Sequence, residues 1–126
     1  MRPDYLPYFH QLTQRLADLG IERIEVEGEL FAKIILNSGW AVEFEGERYY
    51  GPSFTISIVS PSKESCKPRS YVVWLLMRVF EKLLCKDFSS FSVDKQADFL
   101  IAEKALVFGD ESFYRDPYTE INNASL

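Results

Sequence analysis

The chain reads as an α+β domain: one four-stranded antiparallel meander with helices packed on one face, in the order α-ββββ-α-α. Three observations predict it. Glutamate alternates with apolar residues in Ile24-Glu25-Val26-Glu27, continued by Glu29, and again in Val42-Glu43-Phe44-Glu45, continued by Glu47. Side chains on a strand alternate between faces, so each run is a strand with one apolar and one acidic side. Short glycine-containing loops flank these runs. Before and after them, apolar residues recur at the three- and four-residue steps of helices.

The first helix is predicted from about Tyr5 to Leu19. Leu6, Phe9, Leu12, Leu16 and Leu19 share one stripe, Gly20 stops it, and Pro7 falls in the first turn, where a missing N–H costs nothing. Leu30, Ala32, Ile34 and Leu36 keep the parity of Ile24 and Val26, which requires an odd-numbered loop, placed at Glu27-Gly28-Glu29. Asn37-Ser38-Gly39 is a second three-residue loop. It sets Leu36 opposite Trp40, Ile34 opposite Val42 and Ala32 opposite Phe44, with Lys33 opposite Glu43 on the outer face. A tight turn at Gly46-Glu47 brings Arg48 opposite Glu45 and opens a fourth strand from Arg48 to about Val59. Gly51-Pro52 interrupts that strand, so Phe54, Ile56 and Ile58 need a bulge to regain the core face. On this reading Ile24, Val26, Val42 and Phe44 are buried, while Glu25, Glu27, Glu43 and Glu45 face solvent.

A polar loop, Ser60 to Ser65, leads to a second helix over about Arg69 to Lys86, with Pro68 at its start. Val72, Leu76, Val79 and Leu83 form one stripe, and Val73, Leu75, Phe80 and Leu84 widen it. A helix this apolar packs on more than one side, or against a second copy of itself. Ser92 caps a third helix with Asp94 in its first turn; Ala97, Leu100, Ile101, Ala105 and Phe108 face inward and Gly109 ends it. The stretch from Asp110 to Leu126 contains Pro117 and ends in Asn122-Asn123-Ala124-Ser125. It reads as an irregular tail (110–126) on a single domain spanning 1–126.

At 126 residues the chain is long enough to bury a core without staples, and 47% apolar with 26% charged residues is ordinary for a soluble protein. A net charge of −5 argues against a nucleic-acid binder, which neutralises phosphates with Lys and Arg. The charge is uneven: Lys63 to Lys86 carries six basic and two acidic residues, and Asp87 onward carries eight acidic and three basic ones. Met1-Arg2-Pro3-Asp4 lacks the apolar stretch of a signal peptide. The longest apolar run, Tyr71 to Met77, is seven residues, far short of the ~20 a membrane span needs. On a helix from Arg69 to Lys86, Cys66 and Cys85 lie near opposite ends, ~27 Å apart by helical rise. No internal disulfide is expected, and a cytoplasmic location follows.

Candidate chemistry is sparse. His10 is the single histidine and reads as a surface residue; with no second histidine or cysteine beside it, no metal and no cofactor are expected. Cys66 precedes a predicted helix start among Lys63, Lys67 and Arg69, conditions that activate a thiol, so a thiol-dependent enzyme is one alternative. The same basic loop, Lys63 to Arg69, suits an anion at a helix N-terminus, although it lacks phosphate-cradling glycines. Trp74 and Arg78, one turn apart beside Tyr71, offer a second contact surface, with core packing the competing use.

The glutamates say more. Phe31, Ile35, Ala41 and Val59 share the outer parity with Glu25, Glu43 and Glu45, and an apolar centre rimmed by acids is how a protein-binding patch is built. Solvated glutamates on an open face stay ionised and make poor general acids. The expected function is therefore non-enzymatic protein binding, with Glu25, Glu27, Phe31, Ile35, Glu43 and Glu45 contacting a basic protein partner such as a nuclease-type toxin. In size and charge the chain resembles the small acidic immunity proteins that block toxins. A homodimeric acidic chaperone or adaptor, joined through the second helix at Trp74 and Met77, is the alternative.

Overall fold

Aromatic and leucine side chains at positions 5, 9, 12 and 16 recur at helical steps, and these four, not Leu6, form the buried stripe of the first helix. The computed structural model describes residues 1–48, 53–62, 67–88 and 91–124. In it α1 spans Leu6–Arg15, with Pro7 in its first turn as expected, and a 3-10 turn at Ala17–Leu19 ends at Gly20, whose φ is 80°. Leu6 is 37% exposed because Tyr5, one residue earlier, takes the inward position and donates its hydroxyl to the Glu47 carbonyl.

The sheet has five antiparallel strands in the order β1-β2-β3-β4-β5: β1 Ile21–Glu27, β2 Phe31–Leu36, β3 Ala41–Gly46, β4 Phe54–Val59 and β5 Ser70–Val72. The meander is as expected; the fifth strand is not. The first loop is Gly28 to Leu30, so Val26 faces Ala32 and Glu27 faces Phe31, a slip of one residue on each strand that preserves the faces. Gly28, at φ 65°, supplies the left-handed turn residue. Asn37-Ser38-Gly39 sets the expected β2–β3 register: Ile34 opposite Val42, Ala32 opposite Phe44, Lys33 opposite Glu43. The Gly46-Glu47 turn does not form. Gly46 instead ends β3 opposite Phe54, so Thr55, not Arg48, faces Glu45, and the fourth strand starts at Phe54. A Cβ on Gly46 would stand 2.7 Å from the Tyr5 ring, and that close approach explains the glycine. Phe54, Ile56 and Ile58 reach the core-facing parity directly; the interruption expected at Gly51-Pro52 lies outside the described residues.

The second helix starts later than expected. Arg69 is held to Ser60 by two bonds, its N–H to the Ser60 hydroxyl (2.8 Å) and its carbonyl from the Ser60 N–H (2.9 Å), which keeps the chain extended. Ser70-Tyr71-Val72 then pairs with β4, and α2 runs only from Val73 to Leu84. Both sides of α2 are used within the chain: Val73, Leu75, Leu76, Met77, Val79 and Phe80 are all buried. Cys85 ends the helix in a left-handed conformation, φ 54°, and is exposed.

Ser92 accepts the Lys95 N–H at the start of α3 (Val93–Ala102), as expected of its cap position. The predicted helix breaks at Glu103, and a short α4 (Lys104–Val107) follows, which leaves Ala105 exposed instead of inward. The expected irregular tail is ordered: a 3-10 turn at Glu111–Phe113 leads into α5, Arg115–Ala124. Three tyrosines hold it. Tyr114 donates to the Val107 carbonyl (2.6 Å), Tyr118 accepts the Val72 N–H (2.8 Å), and Tyr71 donates to Glu111 (2.5 Å). Their rings meet edge to face, Tyr71 standing 5.0 Å from both Tyr114 and Tyr118.

The core joins Ala32, Ile34, Val42, Phe44, Ile56 and Ile58 of the sheet to Phe9, Leu12, Leu76, Phe80 and Leu100 of the helices. One expected pair is missing. Ile24 and Val26, on the same face as these strand residues, are 42% and 50% exposed. β1 lies at the sheet edge, beyond the reach of the helices, so its apolar residues find no cover there.

Candidate docking face

The register assembles the predicted site residues into three rows across the outer face. Glu27, Phe31, Glu45 and Thr55 form one row, Glu25, Lys33, Glu43 and Ser57 the next, and Arg23, Ile35, Ala41 and Val59 the third. All six residues expected to bind a partner therefore share one surface. Phe31 and Ile35 are half-buried and stand outside the core, as does Val59. Ala41 is buried, and so serves as floor rather than contact.

The charges are less uniform than the alternation implied. Lys33 reaches Glu43 across the strands at 3.8 Å, the ion pair the register predicts. Arg23 bonds Glu25 at 3.0 Å and Glu22 at 3.2 Å. Such part-exposed pairs contribute under about 1 kcal/mol each, yet they cancel charge where they stand. Glu27 and Glu45 have no ion pair among the described residues, so the negative potential concentrates in the row containing Phe31. What this arrangement can do is attract a cation-bearing surface and seat an apolar side chain at Phe31 or Ile35.

The other candidates fare unevenly. His10 is exposed on α1. The basic loop does not border a helix N-terminus, because α2 starts at Val73, and this removes the anion site read from Lys63 to Arg69. Lys67 and Arg69 are exposed; Lys63 and Cys66 lie outside the described residues. Trp74 and Arg78 converge on Phe91, the guanidinium 5.0 Å above its ring, while Tyr71 belongs to β5 and packs elsewhere. Met77 is buried within the chain, so a contact surface on α2 would rest on Trp74 and Leu83, which are 40% and 39% exposed. A shallow cleft of about 230 Å³ between Met77, Phe88, Lys95, Asp98 and Phe99 holds no nucleophile paired with a base. Among the described residues no group of acids, cysteines and histidine could hold a metal ion, and no helix is long and apolar enough to cross a membrane.

Sequence reasoning missed that β1 has no neighbour on its outer side among the described residues. A signal existed: the first strand of a meander has a neighbour on one side only. Comparison with family models, with curated proteins and with solved structures gave no significant match.

Proposed function

We propose that this chain is a non-enzymatic protein-binding domain whose outer sheet face docks and neutralises a basic protein, in the manner of an immunity-type inhibitor. One observation carries the reading: Phe31 and Ile35 stay half-exposed on a sheet face outside the core, with Glu27 and Glu45, which form no ion pair among the described residues, at either side of Phe31. An aromatic anchor with charged neighbours is the usual centre of a protein interface. The acids steer a basic partner to it and raise the encounter rate. A nuclease-type toxin is the kind of basic partner whose fast capture matters to the cell that makes it.

The exposed Trp74 and Leu83 on α2 favour a second reading, a homodimeric chaperone or adaptor joined through that helix. Affinity capture from the native cell separates the two. Wild-type protein should retain a basic protein that the Glu27→Lys/Glu45→Lys variant loses while remaining folded. Equal capture by both forms at low salt would remove the acidic face from the account and favour the adaptor.

A further inference from the structure

The sheet has two edges, and they are treated differently. At β5, only three residues long, the Val72 N–H is taken by the Tyr118 hydroxyl. At β1, seven residues long, no element among the described residues pairs with the outer side.

The hydrogen bonds around β2 show which groups that edge presents. The Leu36 N–H goes to Trp40 on the β3 side, and the Asn37 N–H goes to Gly20 on the β1 side. Direction alternates along a strand, so Phe31, Lys33 and Ile35 turn their backbone groups toward β1. Their partners Glu27, Glu25 and Arg23 turn inward in return, which leaves the N–H and C=O of Ile24 and Val26 pointing away from the sheet. The same two residues expose aliphatic side chains.

We propose that this edge pairs antiparallel with β1 of a second copy of the chain, centred on Ile24, joining the two five-stranded sheets. Outward-pointing residues must oppose one another, so Ile24 faces either Ile24 or Val26 of the second copy. Charge selects between these. With Ile24 opposite Ile24, Arg23 faces Glu25 of the second copy twice over, once on each side of the two-fold axis. With Ile24 opposite Val26, Arg23 faces Glu27 instead, but Glu25 faces Glu25 on the two-fold axis, a like-charge pair that destabilises a sheet and that the first register avoids. The edge is therefore self-complementary in one register: two ion pairs on the outer face and two isoleucines in contact on the other. The bulge at Glu22 limits the ladder to a short stretch, so the dimer is weak and concentration-dependent. This contact shares only Glu25 with the six docking residues, uses neither Phe31 nor Ile35, and is read by self-association alone, so it stands or falls apart from docking.

Sedimentation of the full chain over a concentration series tests the proposal. Arg23→Glu and Glu25→Arg each place like charges opposite one another and should weaken self-association about tenfold. An equal mixture of the two variants restores the opposite-charge pairs and should recover wild-type association, as should the double variant Arg23→Glu/Glu25→Arg. Glu27→Gln, opposite Ile21 in this register, should leave it unchanged. Ile24→Pro removes an outward N–H without touching the β1–β2 ladder and should give a folded monomer. A wild type that stays monomeric up to millimolar concentration would overturn the proposal. So would a dimer indifferent to the charge swaps, which would put the contact elsewhere, with α2 the next surface to probe.

Discussion

Ile24 and Ile34 are direct cross-strand partners on one face of the sheet, yet Ile34 is fully buried and Ile24 is 42% exposed. Cover over this face runs out between β2 and β1, a strand spacing of about 5 Å. The same face thus changes from core to surface within one pair of residues.

That relationship sets a contrast in stability. Ile34→Ala should cost about 2–5 kcal/mol, as a buried isoleucine leaves a cavity. Ile24→Ala should cost under about 1 kcal/mol, since its side chain is half in water already. Urea denaturation of both variants measures the difference, and equal losses would mean that β1 is covered in solution.

The α5 clamp predicts a second effect. Tyr114→Phe removes the donor to the Val107 carbonyl in a fully buried position and should cost about 1–3 kcal/mol. Tyr118→Phe, which strands the Val72 N–H at the sheet edge, should cost less, because water can reach that edge once α5 loosens. Thermal unfolding of the two variants ranks them.

Alkaline pH acts on the same cluster. Burial pushes the Tyr71 and Tyr114 hydroxyls well above their ordinary value near 10, and the Glu111 carboxylate pushes both further. A folded-state value above the unfolded one means that the cluster's contribution is fully present below pH ~10 and is lost progressively above it. Stability should therefore fall as pH rises through 10 and beyond. Burial raises the Tyr118 hydroxyl as well, so ultraviolet titration should show three tyrosines that ionise above the rest, Tyr71 and Tyr114 only as the protein unfolds; one common midpoint near pH 10 for all seven tyrosines in folded protein would contradict this.

Gly46 and Tyr5 supply a packing test. Gly46→Ala drives a methyl into the Tyr5 ring, at 2.7 Å from its nearest carbons, and should cost about 1–3 kcal/mol. In a Tyr5→Ala background the added cost of Gly46→Ala should shrink, because the two residues are in contact.

Much of the sheet was legible in the sequence because strand parity and a three-residue loop leave little freedom. Asn37-Ser38-Gly39 fixed the β2–β3 pairs down to Lys33 and Glu43. The rest was hidden for physical reasons. Tyr71-Val72 merges with the apolar run of α2, and only the tie between Ser60 and Arg69 reveals a strand before the helix. The α5 stripe of Tyr114, Tyr118 and Ile121 is sparse, and Pro117 masks it, although proline suits a first helical turn. Alternation within β1 reported strand periodicity correctly and burial incorrectly, since period-two patterning cannot tell an edge from a centre. Of the candidate site, the shared face of all six residues and the Lys33–Glu43 pair followed from parity and register; the neutralising role of Arg23 required the ion-pair geometry.

The proposed docking of a basic protein rests on the face that holds Phe31, Glu27 and Glu45. Association kinetics of the captured partner, measured over a range of salt with wild type, Glu27→Lys/Glu45→Lys and Phe31→Ala, tests it most directly. The charge-reversed form should associate more slowly, with a flattened salt dependence and little change in dissociation. Phe31→Ala should instead dissociate faster, by about tenfold or more, at an unchanged association rate. Wild-type rates in both variants would contradict the account.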